Sequence, residues 1–131
     1  MTLSFTYEEL KNLIFCHYNT AIDISFIDEK TIYVSPKIIS LLSAKIKIQV
    51  INIFDSVVTL SYDGGFFTKS IINAVVLFVR EKFAGQVSFA EPNRVILHLA
   101  KIKDIEKIFD LLELKDIVFQ ENEITLYLEF K

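Results

Sequence analysis

Cys16 and His17 adjoin in "FCHY", and a thiol beside an imidazole is the pairing that cysteine nucleophiles use. Here the two stand next to each other on an expected helix. Neighbouring helical side chains point roughly 100° apart, so the imidazole cannot take the proton of the thiol directly. Cys16 reads as a small core or boundary residue, and His17 as a residue near a helix C-terminus, where a positive charge is favoured. His98, in "RVILHLA", shares a face with Arg94 and Ile96 by strand alternation. If that face lines a cleft, Arg94 and His98 would meet an acidic ligand; if it is solvated, they are ordinary surface.

"YDGGFFTKS" sits between an expected strand and an expected helix and invites comparison with a phosphate-binding loop. That loop needs Gly-x4-Gly-Lys-Ser/Thr. Lys69 and Ser70 are present, but Asp63 and Thr68 hold the two glycine positions. An acid at the loop entrance repels phosphate, so a glycine turn before a helix is the better reading; weak anion binding at the helix start is all it retains. Two histidines and one cysteine fall short of a zinc set. No carboxylate pair has a spacing suited to acid–base work. An enzyme would have to assemble a polar cluster from distant residues such as His98, Arg94 and Asp63. The expectation is a protein that is not an enzyme, with no catalytic residues, no metal and no cofactor.

The elements that would position these residues alternate between hairpins and helices. Thr6 and Glu9 form a capping-box pattern ahead of "YEELKNLIFCHY", with Leu10, Leu13, Ile14 and His17 as its inward stripe. Ile22, Ile24 and Phe26 alternate with polar residues, as do Ile32 and Val34 after a polar turn, which is hairpin patterning. Pro36 begins a short expected helix, "PKIISLLS". Ile46, Ile48 and Val50 then alternate up to a turn near Asp55, and Val58, Leu60 and Tyr62 alternate after it. The apolar "VINIF" between them suggests a strand covered on both faces. Val87 and Phe89 pair across "AEPN" with Val95, Leu97 and Leu99. "DIEKIFDLLEL" reads as a helix capped by Asp104, and Ile124, Leu126, Leu128 and Phe130 alternate in a final hairpin strand.

Between these lies "GGFFTKSIINAVVLFVREKFAG", whose spacing predicts a long helix with almost no polar face. Ile71, Ile72, Val75, Val76, Phe78, Val79 and Phe83 cover most of its surface. Such a helix must be covered on most sides. The expected fold class is therefore α+β: a curved antiparallel sheet of about six to eight strands, in hairpin units, packed around one long apolar helix, with three shorter helices.

Composition bounds what remains. A chain of 131 residues fits a single domain over residues 1–131. Hydrophobic residues make up 52 %, a surplus destined for a large core, a subunit interface or an apolar cavity. The longest uncharged run of the apolar helix, Ser70 to Val79, is too short for a membrane span, which needs about 20 residues. The N-terminus lacks a basic region and carries Glu8 and Glu9, unlike a secretion signal. A single cysteine agrees with a reducing compartment, so the expected location is cytoplasmic. A net charge of −3 with only two arginines argues against nucleic acid.

Two functions fit these bounds. The first is a structural or protein-interaction module that self-associates through apolar surface, as a homodimer or with a protein partner. The second is a binding protein for a lipid or other hydrophobic small molecule, held in a cavity beside the long helix. For either, the ligand-binding or interface residues would be Ile71, Ile72, Val75, Val76, Phe78, Val79 and Phe83, with Arg94 and His98 nearby.

Overall fold

The computed structural model describes residues 1–19, 21–36, 45–63, 77, 81, 85–90, 93–101 and 106–131. The chain opens with strand β1 (Thr2–Thr6), which runs directly into helix α1 (Tyr7–Tyr18). Hairpins β2 (Ile22–Asp28) with β3 (Thr31–Pro36) and β4 (Ile46–Phe54) with β5 (Val57–Asp63) follow. A third hairpin pairs β6 (Val87–Ala90) with β7 (Arg94–His98), and a single 3-10 turn (Leu99–Lys101) extends it. Short helix α2 (Glu106–Leu111) leads into the last hairpin, β8 (Leu112–Phe119) and β9 (Glu123–Phe130).

These strands form two antiparallel sheets, one of three strands in the order β1-β9-β8 and one of six in the order β2-β3-β4-β5-β7-β6. The expectation of one sheet wrapped around a long helix with three lesser helices is thereby overturned. Most described residues lie in strands, and of the two described α-helices only α1 exceeds six residues. Sheet packs against sheet. Ile32, Val50 and Val58 of the larger sheet share one buried cluster with Leu112, Leu114, Phe119, Ile124 and Leu128 of the smaller, and Tyr7 and Phe109 join it from the helices. The physical reason is the alternation itself: it gives each sheet one apolar face, and residues of two such faces bury each other in one cluster.

Of the run expected to form the central helix, only Leu77, Glu81 and the closing Gly85 are described; Leu77 and Glu81 are helical, Gly85 lies in a turn at φ 83°, and Leu77 is 59 % exposed. Pro36 closes β3 rather than opening a helix, and most of "PKIISLLS" lies outside the described residues. The capping box at Thr6 and Glu9 forms as expected: the Thr6 hydroxyl accepts from the Glu9 N–H at 3.1 Å, and the Thr6 N–H donates to Glu9 Oε1 at 3.2 Å.

"VINIF" is not covered on both faces. A β-bulge between Val50 and Asn52 inserts Ile51, which is 46 % exposed, and Phe54 is exposed at the hairpin tip. The bulge shifts the alternation by one residue, so Val50 and Ile53 both reach the core. Asp55 and Ser56 make the two-residue turn with φ of 52° and 59°. Paired positive φ values suit the twist of a hairpin but cost energy in residues that carry a Cβ.

The sheets are also joined along the outer edge of β8. The Phe119 N–H donates to the Glu29 carbonyl at 2.8 Å, and the Leu114 N–H to the Ser56 hydroxyl at 3.3 Å. Lys30 forms an ion pair with Asp116 and donates to the Ile117 carbonyl at 2.7 Å. Turns of the larger sheet thus supply the partners that an edge strand otherwise lacks.

Candidate functional site

Of the residues anticipated for binding, Ile71, Ile72, Val75, Val76, Phe78, Val79 and Phe83 lie outside the described residues. Arg94 and His98 are on β7, on the face of the larger sheet that points away from the core. Register places Arg94 beside Ser61 and His98 beside Val57. Four residues of strand, about 13 Å, separate the two side chains' attachment points. Arg94 therefore enters a shallow cleft of about 410 Å³ with Lys47, Gln49, Ser61, Asp63 and Asn93. His98 stands outside it, its Nε2 sharing a 3.3 Å hydrogen bond with the Ser88 hydroxyl.

The polar cluster imagined for an enzyme is thus only partly assembled: Arg94 and Asp63 share the cleft, and His98 does not. Lys47 stands opposite Asp63 across β4 and β5, and Gln49 stands opposite Ser61. Among the described side chains that line the cleft there is no imidazole beside the Ser61 hydroxyl, and the cleft's polar groups can hydrogen-bond a small polar molecule. Of "YDGGFFTKS", only Tyr62 and Asp63 precede the part that lies outside the described residues. Cys16 is exposed, and no group of three metal-ligating side chains occurs among the described residues.

A second cleft, of about 450 Å³, opens where the bulges of β4 and β8 face each other, with Lys30, Asn52, Lys115 and Asp116 at its polar side. Its charges include the Lys30–Asp116 pair that fastens the sheets, so its arrangement is accounted for by structure.

Another surface was not anticipated from sequence. At one end of the small sheet, Met1, Leu3, Leu111 and Phe130 are all exposed, Phe130 to 74 % and Leu111 to 69 %. The Lys131 N–H donates to the Leu111 carbonyl at 3.1 Å, and Phe130 pairs with Leu112, which brings the end of α2 against the end of β9. Met1 sits opposite Leu128 on the same sheet. Phe130, Leu3 and Met1 share the face that Leu126 and Leu128 turn to the core, so this apolar rim is the core face continuing past its cover. The signal lay in Phe130, the last member of the alternation Ile124, Leu126, Leu128, Phe130, and in an N-terminal strand without a charge. Among the described residues no helix is long and apolar enough to cross a membrane. No protein family, curated protein or solved structure matches this chain.

Proposed function

We propose that this protein is a non-catalytic interaction module that self-associates through the apolar rim of its three-stranded sheet. The observation that carries the reading is the exposure of Met1, Leu3, Leu111 and Phe130 on the continuation of a core face. Apolar surface gathered at one place and rimmed by polar residues is the usual mark of a protein contact. The exposed thiol of Cys16 suits a reducing compartment, and we place the module in the cytoplasm.

Native mass spectrometry of the untagged protein, without detergent or added ligand, tests this reading. A dimer mass without adduct supports it. A bare monomer at every concentration contradicts it. A monomer carrying an extractable adduct of lipid size replaces it with the hydrophobic-ligand reading.

A further inference from the structure

The two edges of the three-stranded sheet are treated differently. Along β8, the outward backbone groups of Leu114, Ile117 and Phe119 are met by Ser56, by Lys30 and Asp116, and by Glu29. Along β1 the pairing pattern can be read from its two ends. Met1 bonds Leu128, and the Tyr7 N–H donates to the Asn122 carbonyl, so alternation makes Leu3 and Phe5 the residues bonded to β9. Thr2, Ser4 and Thr6 then point their backbone groups outward. The Thr6 N–H is taken by Glu9, and its carbonyl starts α1. Thr2 and Ser4 keep two N–H and two C=O groups without a partner among the described residues.

Natural edge strands are guarded by a charge, a proline, a bulge, a covering element or by being very short. Thr2–Thr6 is short but carries no charge and no proline, its pairing with β9 is regular throughout, and Thr2 and Ser4 are exposed. From these observations we infer that β1 pairs antiparallel with β1 of a second copy, about a two-fold axis at Leu3. This rests on the self-association proposed above and specifies its geometry.

The register follows from counting donors. With the axis at Leu3, Thr2 of each copy faces Ser4 of the other, and all four donors meet all four acceptors. An axis at Thr2 sets Ser4 beyond the second copy's β1. An axis at Ser4 sets Thr2 against Thr6, whose groups are already used. Only the Leu3 register satisfies every free group.

The side chains agree with that register. Leu3 meets its own copy in a non-hydrogen-bonded pair, where side chains approach most closely. Met1 faces Phe5 of the second copy on the same side of the sheet. Phe130, which pairs with Leu112 of β8, then lies two strand spacings, about 10 Å, from Phe5 to Tyr7 of that copy. A two-fold axis brings each residue near its own copy, so a charge at its centre would repel itself; here there is none. Two short strands alone fall below the ~1,000 Å² expected of a stable interface, so the pairing needs further apolar contact, which Met1 and Phe130 are placed to give on the same side of the sheet. The result is a continuous six-stranded sheet, β8-β9-β1 followed by β1-β9-β8 of the second copy.

Two variants test this. Ser4→Pro removes an outward donor while leaving the backbone bonds from β1 to β9 in place, because proline is tolerated where the N–H faces away from the sheet, and a Ser4→Ala control accounts for the lost hydroxyl contact with Thr125. Ser4→Pro should weaken the dimer by roughly tenfold or more with an unchanged circular-dichroism spectrum. Leu3→Cys in a Cys16→Ser background should form a disulfide-linked dimer under mild oxidation, reversed by reductant. If the wild type is a dimer, yet Ser4→Pro leaves its affinity unchanged and Leu3→Cys fails to cross-link, the edge pairing is wrong and self-association stands. If the wild type is a monomer, both fall. Should Ser4→Pro fail to fold, the cross-link alone decides.

Discussion

The Lys30 side chain, from the turn of the larger sheet, pairs with Asp116 and donates to the carbonyl of its neighbour Ile117. One residue of that turn therefore fastens two consecutive residues of the small sheet. The same turn gives its Glu29 and Lys30 carbonyls to the Phe119 and Val50 N–H groups, both at 2.8 Å. Both charged side chains are more than a third exposed, so solvent screens most of the ion pair and the carbonyl contact carries much of its value. Lys30→Ala should cost about 1 kcal/mol, lowering the midpoint of thermal unfolding by ~3–5 °C. Urea denaturation beside a Lys30→Met variant, which keeps the apolar stem, separates the charge from the packing.

Ser56 is the second fastening. Its hydroxyl accepts from the Leu114 N–H, its carbonyl accepts from the Leu99 N–H, and the residue is buried. Ser56→Ala leaves the Leu114 N–H without its acceptor in a dry place, which should cost about 1–3 kcal/mol. Protection of the Leu114 amide from hydrogen exchange should fall with it, since the contact closes that amide.

Asp55 is held at φ 52° with a side chain that disfavours it. Asp55→Gly removes the steric penalty but loosens the unfolded chain, so the net gain should be modest, up to about 1 kcal/mol. An upward shift in the unfolding midpoint checks it. A loss would mean that the Asp55 side chain makes a contact worth more than the strain.

Asp28 should leave a mark on the acid side of the stability profile. Its carboxyl accepts from the Lys30 N–H at 2.9 Å and is also held by the Thr31 side chain; with the nearby Lys47 charge these keep its pKa below the ordinary 3.8. A carboxyl depressed in the folded state binds its proton first when unfolded, so its stabilisation is present above the ordinary value. It is lost as pH falls from there through the folded value. The stability gap between wild type and Asp28→Ala, measured by denaturant titration at a series of pH values, should be constant near neutrality and shrink below about pH 3.8.

Much of the local structure was legible because it follows from period and caps. Ile22–Phe26 with Ile32–Val34, the turn at Asp55, Val87 and Phe89 opposite Leu97 and Val95, and the Thr6–Glu9 box all form where spacing places them. Less legible were features set by partners distant in sequence. The inward stripe of α1 includes Leu10 and Ile14 at its boundary, but Leu13 is exposed, because the phase of a helix is fixed by what it packs against. Leu112 and Leu114 look helical in "DIEKIFDLLEL" yet begin β8, since pairing with Phe130 and Leu128 outweighs their helix propensity. Leu99 falls in the 3-10 turn instead of extending β7. β1 was missed because five residues give too little alternation to read without β9 beside them. Of the candidate site, only the sharing of one face by Arg94 and His98 could be read; the apolar rim depends on where the core cover ends, which no local pattern encodes.

The measurement that bears most directly on the account is sedimentation equilibrium of the wild-type protein beside Phe130→Lys, over a range of concentrations. The apolar rim predicts a wild-type mass of two chains and, for Phe130→Lys, a shift towards one chain without loss of thermal stability. A wild-type mass of one chain throughout would contradict it.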